Sequence, residues 1–210
     1  MTEMNSIREA LYQGDADLVF KLTDQALKEG ISAHTILTDG LIGGMNIVGV
    51  DFKDGELFIP EVLIAAQAMK SGMEVLKPLL AEADTPSEGK IVLGTVQGDL
   101  HDIGKNLVGM MMEGAGFIVY DLGIDIPPEE FVEAVKEQKP DLVGLSALLT
   151  TSMPMMKTTI EAIRQTSLGV KIMIGGAPVT QEYANSIDAD GYASNAVSAV
   201  DRAKQLLEKN

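Results

Sequence analysis

Lys90-Ile-Val-Leu-Gly-Thr-Val-Gln-Gly-Asp-Leu-His-Asp-Ile-Gly-Lys-Asn106 places an apolar run, a polar loop and the start of a helix within one short stretch. The apolar run 90–96 has no alternation, which fits a strand buried on both faces, and a helix is predicted over 106–113 after the loop. The same unit recurs downstream, with strands predicted at 117–121, 141–146, 170–174 and 191–193 and helices at 128–138, 153–166, 180–186 and 196–209. Strict alternation of strand and helix with connections this short requires parallel strands and right-handed crossovers. Residues 90–210 are therefore expected to form a doubly wound, five-stranded parallel sheet in an α/β domain.

Upstream of Lys90 the pattern changes. Glu82-Ala-Asp-Thr-Pro-Ser-Glu-Gly-Lys90 is polar and holds Pro86 and Gly89, so 84–89 is the expected linker. Before it, apolar residues recur at three and four positions: Ile7 and Leu11, then Leu18, Leu22 and Ala26, then Ile36, Leu37 and Leu41, then Val62, Leu63, Ala66 and Met69. Breaks at Gly14, Gly30 and Gly55 divide this region into four helices, with Asp15 and Ser32 as N-caps and Pro60 in the first turn of the last. Residues 1–83 are expected to be a four-helix bundle.

Composition removes several function classes. The chain of 210 residues has no Cys, which excludes a disulfide framework, a thiolate zinc site, an iron-sulfur cluster and a cysteine nucleophile. Any metal must be held through His, carboxylates or a cofactor. Lys and Arg number 16 against 31 Asp and Glu, a net charge of −15 that repels phosphate backbones and anionic lipid. Nucleic acid and membrane are not expected partners. The first ten residues lack an apolar leader segment and no stretch approaches a membrane span, so a cytoplasmic location is expected.

In an open parallel sheet, ligands bind at the carboxyl ends of the strands, where the strand order reverses. A flavodoxin-like (Rossmann-like) order, 2-1-3-4-5, makes strands one, three and four neighbours. Their loops are Gln97-Gly-Asp99-Leu-His101-Asp-Ile-Gly104, Ser146-Ala-Leu148-Leu-Thr150-Thr-Ser152 and Gly175-Gly-Ala-Pro178. Strand two ends in Asp121-Leu-Gly-Ile-Asp125, which is expected farther from the crevice. Asp99 and His101 alternate along an extended loop, so the carboxylate can hold one imidazole nitrogen while the other binds a metal, and Ser152 can extend the relay. Gly98, Gly104, Gly175 and Gly176 leave room for something large against the backbone, and the Lys and Ser/Thr order of a phosphate loop is absent. His34 has no partner carboxylate in a metal-binding spacing and is given no role. The paired methionine clusters around Met111 and Met156 are expected to fill gaps between helix and sheet.

Asp99-x-His101-x-x-Gly104, followed after 41 residues by Ser146-x-Leu148 and after 26 more by Gly175-Gly176, resembles the signature of base-off/His-on corrinoid proteins. Gly43-Gly-Met-Asn46 through Asp51-Phe-Lys-Asp-Gly-Glu-Leu-Phe-Ile-Pro60 resembles the cap domain of methionine synthase, so the likeness covers nearly the whole chain. The size and two-part layout are similar to the corrinoid subunits of methanol, methylamine, glycine betaine and aryl methyl ether methyltransferase systems.

The resemblance implies a cobalamin or related corrinoid, cycling between Co(I) and methylcobalamin forms, as the cofactor. His101 would be the cobalt ligand below the ring, with Asp99 and Ser152 as a proton relay. Gly98, Leu100, Asp102, Ile103, Gly104 and Leu148 would belong to the cofactor-binding site, and the nucleotide tail would run into a slot beside Ser146, Thr150, Gly175 and Gly176, with Asn195 and Ala196 as a further contact. Phe52, Ile59 and Val62 match apolar cap positions over the methyl-bearing face, although the residues by themselves favour a bundle core. The implied partners are a substrate-specific methyltransferase, a second methyltransferase delivering to tetrahydrofolate or a thiol, and a reductive activator. A cobalamin-dependent regulator and the cofactor subunit of a mutase share the His motif and stand as the alternatives.

Overall fold

A computed structural model describes residues 3–82 and 87–208. The chain divides into two compact units, one holding residues 1–87 and 114–116 and the other 88–113 and 117–210. The division falls within the expected linker, of which residues 84–86 lie outside the described residues.

The first unit is helical, with α1 Glu3–Tyr12, α2 Ala16–Lys28, α3 Ala33–Thr35, α4 Gly43–Asp54 and α5 Ile59–Glu82. A π-helical stretch, Ile36–Ile42, runs without a break from α3 into α4, so four helical rods result, as the periodicity predicts. Gly14, Gly30 and Gly55 stand at the breaks with positive φ. The Asp15 and Ser32 side chains accept from the amides of Leu18 and Thr35, which caps their helices. One detail departs from the predicted pattern. The buried stripe of α2 is Val19, Thr23 and Ala26, and Leu18 is exposed, so at its first two positions the inner face lies one residue on from the expected one, although the helix starts where its Asp15 cap predicts. Gly43 and Gly44 permit a close crossing of α1: a Cβ on Gly44 would stand 3.2 Å from a Leu11 methyl and 3.3 Å from the Arg8 Cα.

The second unit is the predicted sheet. Strands β1 Lys90–Thr95, β2 Ile118–Asp121, β3 Leu142–Ser146, β4 Lys171–Gly175 and β5 Gly191–Ala193 pair in parallel in the order β2-β1-β3-β4-β5. Helices α6 Ile103–Gly114, α7 Pro128–Gln138, α8 Met153–Arg164 and α9 Gln181–Ser186 join them, and α10 Ala196–Leu207 follows β5. Residue 209, the last of the predicted α10 span, lies outside the described residues. β1 and β3 are buried along almost their whole length, as central strands of a covered sheet must be. Val92, Phe131, Val143, Leu145, Met156 and Ile172 belong to one apolar core. Phe131 is fully buried, and truncation to Ala at such a site costs about 3–5 kcal/mol. Met111, Met112 and Met156 are buried, as gap-filling requires.

The one boundary that bears on chemistry is the start of α6. It begins at Ile103, three residues earlier than the sequence pattern suggests, because a glycine in a first helical turn, here Gly104, does not prevent the helix. The polar loop is thereby shortened to 96–102 and held at both ends by regular structure. Among the described residues, no helix is long and apolar enough to cross a membrane.

Candidate functional site

The loop between β1 and α6 turns at Gly98, whose φ of 82° favours glycine. Asp99 follows with no solvent exposure. A carboxylate buried this completely must be matched by donors, and five are present. Asp99 Oδ1 accepts from the His101 amide at 3.1 Å and lies 2.7 Å from His101 Nδ1. Asp99 Oδ2 accepts from the Leu148 amide at 2.7 Å, the Leu149 amide at 3.1 Å and the Ser152 hydroxyl at 2.6 Å. Burial by itself raises the carboxyl's pKa. The hydrogen bonds from Ser152, His101 and Leu148 outweigh it, and Asp99 is held well below the usual carboxylate range.

An ionised carboxylate only accepts, so its short contact assigns the proton of the neutral imidazole to Nδ1. Nε2 is then left with a free lone pair, and no hydrogen bond to it occurs among the described residues. The His101 side chain is 49% exposed, beside an Asp99 side chain that is 0% exposed. A second hold on the same residue comes from the buried Thr95, whose hydroxyl donates to the His101 carbonyl at 2.9 Å. The ring is aimed from behind and open in front, which is the arrangement of a metal-ligating histidine with its outer carboxylate. Among the described residues no three His, Asp or Glu side chains gather into a metal cage, so this site offers one imidazole.

The surroundings suit a large, partly apolar ligand. Leu100, Ile103, Leu148, Leu149 and Ile124 are exposed on the loops that converge on Asp99, and exposed apolar residues gathered this way mark a binding surface. A Cβ added to Gly98 or Gly104 would meet nothing within 4 Å. These features fit a planar group with a metal that needs one axial nitrogen.

Most of the expected residues come together here. Asp99, His101, Ser152, Leu148 and Gly98 share one hydrogen-bonded network, and Ser146 joins through its carbonyl, which accepts from the Val96 amide. Asp102 is exposed and accepts from the Asn106 side chain. Thr150 is exposed, with no partner in the network. Gly175 pairs with the β3 loop through the Ala147 amide. A Cβ on Gly176 would stand 1.8 Å from the Ala147 carbonyl oxygen, so its smallness serves a backbone approach and not an open slot. Asn195 caps α10 in a reciprocal pair with Ser198, which accounts for it structurally, and Ala196 is buried. In the helical unit, Phe52 is half-buried in the last turn of α4, Ile59 is exposed at the start of α5, and Val62 is buried.

One expectation is overturned. The segment after β2 is not remote, since the Asp125 amide donates to the Asp99 carbonyl at 3.0 Å and its carboxylate accepts from the Gly98 amide at 2.7 Å. The order 2-1-3-4-5 itself carried the signal, because β2 is the other neighbour of β1. Lys105 was also missed. Its side chain is buried, and the amino group reaches Asp121 at the end of β2 at 2.5 Å and Asn106 at 2.7 Å.

Known proteins place the chain. Residues 89–201 match the B12 binding domain, and residues 4–77 match a second family model that is also described as a B12 binding domain. A corrinoid protein of Desulfitobacterium hafniense (strain Y51) is 42% identical, over 100% of this chain and 99% of its own length. Dimethylamine corrinoid protein 1 of Methanosarcina acetivorans is 48% identical, over 91% of each chain. Among solved structures, the methanol:cobalamin methyltransferase complex of Methanosarcina barkeri matches with a TM-score of 0.89 at 30% identity, covering 99% of this chain and 80% of that one. A cobalamin-binding protein of Desulfitobacterium hafniense DCB-2 matches with a TM-score of 0.76 at 35% identity, covering 94% and 95%. With family models on both of its units and relatives matched along nearly their full length, the chain belongs to the B12-binding family of corrinoid proteins.

Proposed function

We propose that this protein is a methyl carrier of the cytoplasm, passing a methyl group from a substrate-specific methyltransferase to a second methyltransferase that delivers it to tetrahydrofolate or a thiol. His101 Nε2 would hold the cobalt, in place of the corrinoid's own base. The observation that carries this reading is the pairing of a half-exposed imidazole, unpartnered at Nε2, with a fully buried carboxylate at Nδ1.

When bound, the corrinoid supplies a cobalt centre able to accept a methyl group and release it again. The chain's own residues do the rest. Asp99 fixes the tautomer that leaves Nε2 free, and Ser152 with the Leu148 and Leu149 amides fixes Asp99. Leu100, Ile103, Leu148, Leu149 and Ile124 would hold the ring by apolar contact and keep water from His101. The nucleotide tail would run beside Ser146, Thr150 and Gly175, with Asn195 and Ala196 beyond them, while Gly176 lets the β4 loop approach the Ala147 carbonyl. A reductive activator completes the partner set, since a carrier of this type must be returned to its reduced state after accidental oxidation.

The test is magnetic. The purified chain is loaded with hydroxocobalamin and reduced to Co(II), once at natural abundance and once with its histidines labelled with 15N. Ligation by His101 predicts that the axial-nitrogen splitting in the electron paramagnetic resonance spectrum changes from a triplet to a doublet on labelling, and that His101→Ala abolishes it. A triplet that survives labelling means that the corrinoid's own base is the ligand, and the reading fails.

A further inference from the structure

Asp125 lies outside the corrinoid signature and in no apolar run, yet it grips the His101 loop at two points. Its amide donates to the Asp99 carbonyl at 3.0 Å, and its Oδ1 accepts from the Gly98 amide at 2.7 Å. The two contacts bracket the Gly98–Asp99 peptide from one residue. To make both, Asp125 adopts φ 57°, a left-handed conformation that is costly for most side chains and tolerated by Asp and Asn. Strained backbone of this kind persists only where the surroundings enforce it.

The neighbouring residues of this segment are fastened to the same part of the chain. The Thr95 amide donates to the Gly123 carbonyl at 3.0 Å, the Leu122 amide to the Leu93 carbonyl at 2.8 Å, and the Ile126 amide to the Thr95 carbonyl at 3.0 Å. Lys105, in the first turn of α6, is fastened to Asp121. Residues 121–126 thus form a rigid template along one side of the loop, while Leu148, Leu149 and Ser152 fix the other side through Asp99. Gly98 is exposed and at positive φ; the peptide after it is held by the bond from the Asp99 amide to the Val96 carbonyl at 3.2 Å, and the peptide before it has its amide held by Asp125.

We propose that Asp125 is a positioning residue for the lower ligand: by pinning the peptides on either side of Gly98–Asp99 it sets the orientation of Asp99 and, through it, the tautomer and aim of His101. The proposal rests on His101 being that ligand, and it deepens the carrier reading without adding a partner.

Two substitutions separate the carboxylate's role from the backbone's. Asp125→Gly keeps the left-handed conformation but removes the acceptor for Gly98. Asp125→Asn keeps both. Loss of a hydrogen bond to a charged acceptor shifts the balance between pinned and open loop by about tenfold to a hundredfold. In the cofactor-free protein, 15N shifts of the His101 ring are expected to show one tautomer in the parent and in Asp125→Asn, and a mixture in Asp125→Gly. After loading with hydroxocobalamin and reduction, Asp125→Gly is expected to lose much of the histidine-nitrogen splitting that the other two retain. An unchanged tautomer and splitting in Asp125→Gly overturns the proposal, as does Asp125→Asn behaving like Asp125→Gly. Should Asp125→Gly not fold, hydrogen exchange at Gly98 in the parent decides. An amide slowed at least about tenfold against an unstructured loop supports the pin, and one exchanging freely overturns it. Absence of histidine splitting in the parent refutes ligation itself, and the tautomer measurement still judges Asp125.

Discussion

Replacing Asp99 by Asn preserves shape and removes charge, and the structure dictates which way the new amide must face. With its NH2 at the Oδ2 position it would confront the Leu148 and Leu149 amides and the Ser152 hydroxyl, leaving two backbone donors without an acceptor. With its NH2 at the Oδ1 position it confronts the His101 amide and Nδ1. There the ring can adapt, by moving its proton to Nε2 and accepting at Nδ1, and only one backbone donor is orphaned. The second arrangement wins. Three surviving bonds fall from the charged to the neutral class at about 1 kcal/mol each, the orphaned amide adds about 1–2 kcal/mol, and relief from burying a charge offsets part of the sum, leaving a loss of about 3 kcal/mol. The functional consequence is larger than the energetic one, because Nε2 becomes a donor and has no lone pair for a metal. Urea unfolding of the cofactor-free Asp99→Asn chain measures the first effect, and 15N shifts of the His101 ring measure the second. A variant that keeps the parent's tautomer and lies within about 1 kcal/mol of its stability would refute the network as the agent that prepares the ligand.

Three further outcomes follow from the same geometry. Asp99 is held below the usual carboxylate range when folded, so as pH falls the unfolded chain takes up the proton first. Its contribution is complete above that range and drains away as pH falls through it, so the parent's urea midpoint should drop more between pH 7 and pH 3 than that of Asp99→Asn. Gly176→Ala places a Cβ 1.8 Å from the Ala147 carbonyl oxygen at φ 133°, and a loss of more than about 3 kcal/mol, or failure to fold, is expected in thermal melts. Gly104→Ala, by contrast, meets open space in a helical turn, so its cofactor-free melting temperature should rise or hold while titration shows weaker cobalamin binding.

The sheet was legible because its signal is repetitive. Each strand is an apolar run bounded by polar turns, and the alternation with helices leaves little freedom in handedness or order. The residues of the His101 site were legible because side chains carry them. Missing from the sequence were donors that make the site work, since the Leu148 and Leu149 amides are backbone groups that any residue type would supply, and the Thr95 hydroxyl is aimed at a backbone carbonyl that no side chain announces. Asp125 escaped for a related reason. Its partners are a backbone amide and a backbone carbonyl, so no complementary side chain elsewhere announces it. The Leu18 register error has another origin: α2 is apolar on several sides, and only the packing decides that Val19 and not Leu18 turns inward.

The short loops around Asp99 invert the ordinary arrangement of a protein surface. Polar backbone and a full negative charge are turned inward, and the leucine and isoleucine side chains of the same loops face out, Ile103 at 79% exposure and Leu100 at 67%. Left uncovered, that apolar area is unfavourable, at roughly 25 cal/mol for each Å² kept in water. The arrangement is favourable only for a ligand that covers the apolar rim and demands one directed nitrogen at its centre. A corrinoid has both properties, being a broad ring with an axial site on cobalt. On this reading the apolar rim supplies affinity that does not depend on which state the metal is in, and His101 supplies the part that does. Removing the imidazole should therefore leave cobalamin bound but change its axial coordination, whereas polar substitutions at Leu100 and Ile103 together should weaken binding while leaving the axial splitting of the remaining complex intact.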